Sequence, residues 1–216
     1  MHFLSGGLPQ PLALAAHLVW IAVLGAAAFA APWSRLRSDE ASHVWLGAIV
    51  AVSLLWSIVA QVQGLRFHLL GATILTLMFD WPLALVALAV AAAAATVTTP
   101  AGWQTYSLHA LVAGALPVAS SRAVLRLAER LLPRHLFVYL FVGAFFSGGL
   151  AMLASGGAAM LLQRAAEVRV GDDAPAMWLL LAFGEATLSG MIVTLAVVYK
   201  PQWVATFDDS LYLGRR

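Results

Sequence analysis

Histidine side chains are the groups of this sequence best suited to chemistry in an apolar chain. The 216 residues contain no cysteine, so thiolate ligands and disulfides are excluded. A transition-metal site would have to use nitrogen or oxygen atoms, with imidazole the first choice. The candidate ligands are the six histidines, His2, His17, His43, His68, His109 and His135.

The start of the chain brings three nitrogen atoms within reach of one ion. A free α-amino group on Met1, the amide nitrogen of His2 and the His2 imidazole can close adjacent five- and six-membered chelate rings. After loss of the amide proton these nitrogens lie in one plane, and tetragonal nitrogen geometry suits Ni(II) and Cu(II). A metal can displace the proton of an α-amine at neutral pH. One further imidazole in the plane would complete the coordination.

His68 is the candidate for that further imidazole. It begins a short apolar segment, and transporters place binding sites at broken helices. The alternative, weighed evenly, is a histidine that only caps its helix. His109 opens a later apolar segment, where we expect it to support His68 or to bond across helices rather than to ligate. We expect His17 to be a packed histidine, and His43 and His135 to lie at the membrane interface.

Glu185 stands inside the last apolar segment. A carboxylate within a membrane span is costly and is a functional hypothesis by default. The alternative, which we favour, is a structural hydrogen bond to the backbone of a broken helix.

The composition predicts a chain that is embedded in a lipid bilayer. Hydrophobic residues make up 62% and charged residues only 10% of the sequence, whereas a soluble domain needs about 25% charged residues. No basic stripe with interleaved aromatic residues suggests binding to nucleic acid. The motifs G-x-x-x-x-G-K-[ST], H-E-x-x-H and G-x-S-x-G are absent, so we expect neither an ATPase nor a common hydrolase. The start lacks the basic region of a secretory signal, so we expect it to stay in place.

Hydropathy predicts an all-α integral membrane protein with about seven transmembrane helices, one of them short or broken. The apolar segments are 11–31, 44–60, 67–80, 82–98, 105–121, 136–163 and 176–199. The third segment gives roughly 20 Å of helix for a hydrocarbon core of about 30 Å, and Asp80-Trp81-Pro82 should break the chain after it. We therefore expect the stretch 61–67 to dip into the bundle. The predicted layout is a tail over 1–10, a helical bundle over 11–204 and a cytoplasmic tail over 205–216.

Basic residues predict the orientation. With seven crossings the two termini lie on opposite sides, and the positive-inside rule selects an outer N-terminus and an inner C-terminus. The inner segments then carry nine basic residues, Arg35, Arg37, Arg122, Arg126, Arg130, Arg134, Lys200, Arg215 and Arg216. The outer segments carry three, Arg66, Arg164 and Arg169. The face from Arg122 to Arg134 is predicted to be a solvated connector, with a partner-docking surface as the alternative.

Three stretches resemble one known family. The start Met1–Leu8 is similar to a Met-His-Ile-x-x-Gly opening, and His68–Ala72 with the later Trp81-Pro82 is similar to a His-Leu-x-Gly motif with its succeeding break. The closing Gly184–Gly190 with Tyr199-Lys200-Pro201 resembles a Gly-Glu-Ala helix and a basic-x-Pro exit. In this order the stretches resemble the CbiM/NikM family, the membrane substrate-binding components of energy-coupling-factor importers for cobalt and nickel.

The resemblance implies a function and a ligand set. Ni²⁺ or Co²⁺ would be bound by the Met1 amine, the His2 amide nitrogen, the His2 imidazole and the His68 imidazole. It implies a six-helix core with one added N-terminal helix, in a bacterial cytoplasmic (inner) membrane. It also implies a transmembrane coupling subunit and two cytoplasmic ATPases as partners, and no cofactor beyond the transported ion.

Some alternatives stay open at the level of sequence. His109 stands where the family's polar cluster typically carries Asn, and an added nitrogen could shift the substrate toward copper or zinc. Arg66 lies two residues before His68, where a cation is unfavourable unless it points away. A non-transporting metal sensor or assembly protein is the second hypothesis. An intramembrane metalloenzyme using Glu185 as a base is disfavoured, because four in-plane nitrogens leave no in-plane water for attack.

Overall fold

The computed structural model describes residues 10–62, 65–97, 102–166 and 173–212. Within these ranges six helices are long and apolar enough to cross a membrane. They are α1 (Gln10–Ala30), α2 (Asp39–Ser57), α3 (Ala72–Val97), α4 (Trp103–Leu131), α5 (Leu136–Ala165) and α6 (Ala174–Tyr199). The shortest, α2, has 19 residues, or about 28 Å of helix, which matches the thickness of the hydrocarbon core. The all-α membrane fold class is confirmed.

A small hairpin between α2 and α3 was not predicted. Strands β1 (Ala60–Val62) and β2 (Leu65–Phe67) pair antiparallel, with Ala60 opposite Phe67. Phe67 is only 2% exposed and packs edge-to-face on Trp178 of α6, with ring centroids 5.1 Å apart. The stretch expected to dip into the bundle is therefore a hairpin anchored at its second strand, and pairing satisfies backbone groups that lipid would leave unbonded.

Helix α3 is two helices joined by a reversal at Asp80. This residue has φ 63° and ψ 165°, a conformation that non-glycine residues rarely adopt. The Thr73 hydroxyl lies 2.7 Å from the Ser121 hydroxyl, and a Cβ added to Gly114 would lie 3.6 Å from the Leu88 Cβ. In a straight helix Thr73 and Leu88 would be about 22 Å apart, whereas Ser121 and Gly114 in α4 are about 10 Å apart. Only a chain that folds back can make both contacts.

The reversal creates the short third segment that the sequence predicted. Its first leg, residues 72–79, runs parallel to α4, and its second leg, residues 81–97, runs antiparallel to it. Pro82 sits at the start of the second leg, where its missing N–H leaves no bond unmade. Six long helices thus accommodate the seven predicted apolar segments, because the third and fourth are the two legs of α3.

One end of the bundle collects most of the basic side chains, and we call it the basic end. It is defined by contacts between the start of α2, the Asp80 turn, the end of α4 and the chain after α6. These are Lys200–Glu40 at 3.5 Å, Trp203 Nε1 to Glu40 at 2.9 Å, the Ala205 N–H to the Met78 carbonyl at 2.9 Å, and Arg122–Asp80 at 3.4 Å. Arg164 lies at the opposite end of the bundle, in the last turn of α5.

Close packing of α5 on α6 depends on small residues. A Cβ added to Gly156 would lie 2.5 Å from the Trp178 ring, closer than real Cβ atoms approach. Trp178 is 6% exposed and also contacts Phe67, so it cannot move away without disturbing the hairpin. The neighbouring Gly157 faces outward, with nothing within 4 Å of an added Cβ.

We predict that Gly156→Ala destabilises the protein while Gly157→Ala does not. The methyl group at 156 overpacks the contact with Trp178, at about 1–3 kcal/mol, which should lower the melting temperature by several degrees. Gly157→Ala adds the same atom in open space, and alanine is the better helix former. Equal melting temperatures for the two variants in detergent would contradict this account of the α5–α6 contact.

Candidate metal centre

His68 lies in the loop that joins the hairpin to the short leg of α3. Its side chain is 5% exposed, so the protein covers the ring almost completely. The Nδ1 atom is 2.9 Å from the carbonyl oxygen of the next residue, Leu69. Because a carbonyl oxygen only accepts, Nδ1 must donate in this bond, which leaves the lone pair on Nε2. Metal-binding histidines commonly use one ring nitrogen in this way and ligate with the other.

Glu185 holds the backbone of the same loop. Its side chain is completely buried, and its two carboxyl oxygens accept the N–H groups of Leu70 at 2.7 Å and Gly71 at 2.8 Å. The Gly71 carbonyl accepts the N–H of Leu75, so these donors stand at the start of the short leg, where no intrahelical partner exists. The carboxylate also faces the positive end of the helix dipole. This is the structural hydrogen bond to a broken helix that the sequence suggested.

Gly71 is required by the shape of this loop. Its φ of 65° is readily adopted by glycine but rarely by other residues. A Cβ at this position would also lie 3.2 Å from a methyl group of Val52 on α2. Helix α2 therefore passes close to the loop, which brings its last turn against the histidine.

Trp56 in that last turn of α2 was not identified from the sequence. Its ring centroid is 5.0 Å from that of His68 and 5.0 Å from that of His109. The two imidazole rings are stacked, with centroids 5.5 Å apart and planes 7° from parallel. A tryptophan in an apolar helix gives no signal of such a role, because it is equally typical of lipid contact or core packing.

His109 comes to this cluster from α4. It is 4% exposed and directly precedes a π-helical segment, Ala110–Ala115. Such segments occur frequently at functional sites. Of the predicted site residues, the structure thus brings His68, His109 and the loop-holding Glu185 together. Met1 and His2 lie outside the described residues, so their predicted ligation stays a prediction.

Two other described histidines, His43 and His135, lie away from this cluster. His43 is exposed near the start of α2, and the His135 ring accepts the Phe137 N–H at the start of α5, so both lie toward the basic end. Within the described ranges, no group of three or more His, Cys, Asp or Glu residues could hold a metal ion.

The fold and this cluster define a class, a multi-pass α-helical membrane protein with a buried imidazole at a broken helix. The chain belongs to the CbiM family, the cobalt uptake substrate-specific transmembrane region, whose family model matches residues 2–203. This match confirms the resemblance drawn from the three sequence stretches. No curated protein and no solved structure matches the chain. As a member of this family the chain is a substrate-specific membrane component of metal uptake, and the family is one of transporter components.

We predict that Glu185→Gln loosens the loop that carries His68. The amide group is nearly the same size, but its NH₂ cannot accept, so one of the two buried N–H groups loses its partner. An unsatisfied buried donor costs about 1–3 kcal/mol. The melting temperature should fall, and amide hydrogen exchange at Leu70 and Gly71 should accelerate at least tenfold.

Glu129→Gln is the matched control, because Glu129 is exposed near the end of α4. That variant should keep the exchange rates of the wild type. Unchanged protection at both amides in Glu185→Gln would mean that the carboxylate does not hold the loop.

Proposed function

We propose that the chain is the substrate-binding membrane component of an energy-coupling-factor importer for nickel or cobalt. The ion would be bound by the Met1 amine, the His2 amide nitrogen, the His2 imidazole and the His68 imidazole. The single observation that carries the proposal is the His68 ring, buried at the head of a broken helix with its Nδ1 bonded to a carbonyl. The family match over residues 2–203 supports the class of substrate.

The ligand set suits this class of ion. Four nitrogen atoms in one plane suit Ni(II) and Cu(II), and Co(II) stands directly below Ni(II) in the order of intrinsic affinities. The family match, a cobalt uptake family, is what favours nickel or cobalt over copper. The amine and the amide must lose their protons, so binding tightens as the pH rises through neutrality. Because His68 reaches the site as the Nδ1–H tautomer, it offers Nε2 without losing a proton.

A copper or zinc importer is the second candidate. The specific observation in its favour is His109, which stacks on His68 and brings another imidazole to the cluster. An added imidazole would suit the tetrahedral coordination of Zn²⁺, whereas the four-nitrogen plane already suits Cu(II) as well as Ni(II). A non-transporting metal sensor or assembly protein is a further alternative, distinguished by a failure to accumulate metal in cells that supply the coupling subunits.

The proposed orientation places the basic end in the cytoplasm of a bacterial cell and the N-terminus outside. Cytoplasmic segments carry an excess of Arg and Lys, and the basic end holds Arg35, Arg37, Arg122, Arg126, Arg130, Arg134 and Lys200. In this orientation His68 lies in the outer half of the bundle, the side from which an imported ion arrives. Energy would come from a transmembrane coupling subunit and cytoplasmic ATPases that bind from the inner side.

We predict that His2→Ala and His68→Ala each abolish stoichiometric binding. Purified wild-type protein should carry about one Ni²⁺ or Co²⁺ per chain, measured by metal analysis with mass spectrometry, because each variant removes one of four ligands. His43→Ala is the control, since His43 is exposed and lies toward the basic end. Retention of metal at wild-type affinity by His2→Ala or His68→Ala would refute the proposal.

We predict that three glycines added before Met1 weaken binding at least a hundredfold. The extension moves the amine too far from His2 to close a chelate ring with the His2 amide, while every side chain remains; one glycine would not serve, because a histidine at the third position forms a four-nitrogen chelate of its own. The same three glycines added after Arg216 are the control. A centre built from ordinary histidine side chains would not respond to the N-terminal addition, so an unchanged dissociation constant would exclude the amine as a ligand.

A further inference from the structure

We infer that Trp56 is the positioning residue that sets the direction of the His68 imidazole and thereby the metal preference of the site. The inference rests on the proposed role of His68 as a ligand. Trp56 touches the proposed ligand rather than the ion.

Trp56 controls the loop through its indole N–H. The side chain is 1% exposed, and its Nε1 donates to the Leu70 carbonyl at 2.9 Å. Glu185 accepts the N–H of the same residue. The N–H and the carbonyl of Leu70 are therefore held by side chains from two different helices, α6 and α2. This fixes the backbone two residues after His68 from both sides.

Trp56 also restricts the rotation of the His68 imidazole ring. The plane of the Trp56 indole is tilted 43° to that of His68 and 41° to that of His109, and the centroid distance is 5.0 Å in both pairs. The two imidazoles stack on each other, and both contact the indole, so the three rings form one packed cluster. Rotation of the His68 ring about its side-chain bonds would break the stack, the contact with Trp56 and the bond from Nδ1 to the Leu69 carbonyl.

A fixed imidazole direction matters most for an ion that demands a plane. Ni(II) bound by nitrogen ligands needs the fourth donor in the plane of the other three, whereas Zn²⁺ accepts a tetrahedral arrangement. Loss of a residue that orients a ligand typically lowers metal affinity about 10–100-fold. If the His68 ring becomes mobile, the penalty should be larger for Ni²⁺ than for Zn²⁺. Trp56 would therefore determine selectivity as well as affinity.

The test compares Trp56→Leu, Trp56→Phe and Trp45→Leu in the full chain. Trp56→Leu removes both the ring contact and the bond to Leu70, and Trp56→Phe restores a ring without the bond. Trp45→Leu is the matched control, because Trp45 lies on the same helix and its Nε1 also donates to a backbone carbonyl, that of Leu83, at 3.3 Å. The measurements are Ni²⁺ and Zn²⁺ dissociation constants, the visible absorption bands of bound Ni²⁺, and melting temperature.

We expect Trp56→Leu to weaken Ni²⁺ binding about 10–100-fold, to weaken Zn²⁺ binding less, and to shift the Ni²⁺ bands. Trp56→Phe should recover part of the affinity and of the Ni²⁺ over Zn²⁺ preference, and it also serves as the test if Trp56→Leu does not fold. Trp45→Leu should leave both dissociation constants unchanged.

Wild-type Ni²⁺ affinity and spectrum in Trp56→Phe and Trp56→Leu would overturn the inference. So would equal losses for the two metals with unshifted bands, since these would indicate a structural role alone. His68→Ala distinguishes this outcome from a failure of the proposed function: if that variant still binds metal, the importer site itself is wrong, whatever Trp56 does.

Discussion

The architecture of the candidate site depends on one interaction, the pair of hydrogen bonds that the buried Glu185 carboxylate accepts from the N–H groups of Leu70 and Gly71. Lipid offers no partner to the backbone donors of a helix that starts inside the membrane, and it offers no partner to a buried charge. Each group would be unfavourable alone, and each satisfies the other. A half-length helix can therefore begin at the depth where His68 is held.

The other end of that short helix is equally constrained. The chain reverses at Asp80, in a conformation that is strained for any residue with a side chain. The Asp80 carboxylate accepts the Trp81 N–H and forms an ion pair with the Arg122 guanidinium at 3.4 Å. The carbonyls of Leu77 and Met78, next to the reversal, accept N–H groups from Thr206 and Ala205. Both ends of residues 72–79 are thus closed by groups from other parts of the chain. The segment connects the candidate metal centre to the basic end and is held at both of its ends.

Local features of the sequence predicted much of this arrangement. Composition predicts that the chain lies in a lipid bilayer, and the lengths of the apolar segments predict its membrane-spanning helices. Asp80-Trp81-Pro82 marks the point where the third helix breaks, because proline cannot continue a helix. The hairpin over 60–67 escaped prediction, since three-residue strands have no detectable alternation and pair only because the bundle gives Phe67 a place to bury. Trp56 escaped because its role is defined by residues distant in sequence. For Glu185 the sequence left two alternatives, a functional carboxylate and a structural hydrogen bond to a broken helix. The structure identifies the backbone groups to which it is bonded as the N–H groups of Leu70 and Gly71.

The net charge of the proposed metal site would give the buried Glu185 carboxylate a second role. A divalent ion bound by one deprotonated amide and three neutral nitrogens carries a net charge of +1. Both Glu185 oxygens accept N–H bonds from the loop that carries His68, so an ionised Glu185 would place a negative charge next to the peptide two residues from the proposed ligand. Under that ligand set an ionised Glu185 would supply the compensating charge through the backbone of the loop rather than as a ligand. The low dielectric constant of the membrane, which penalises each charge alone, would strengthen the attraction between them.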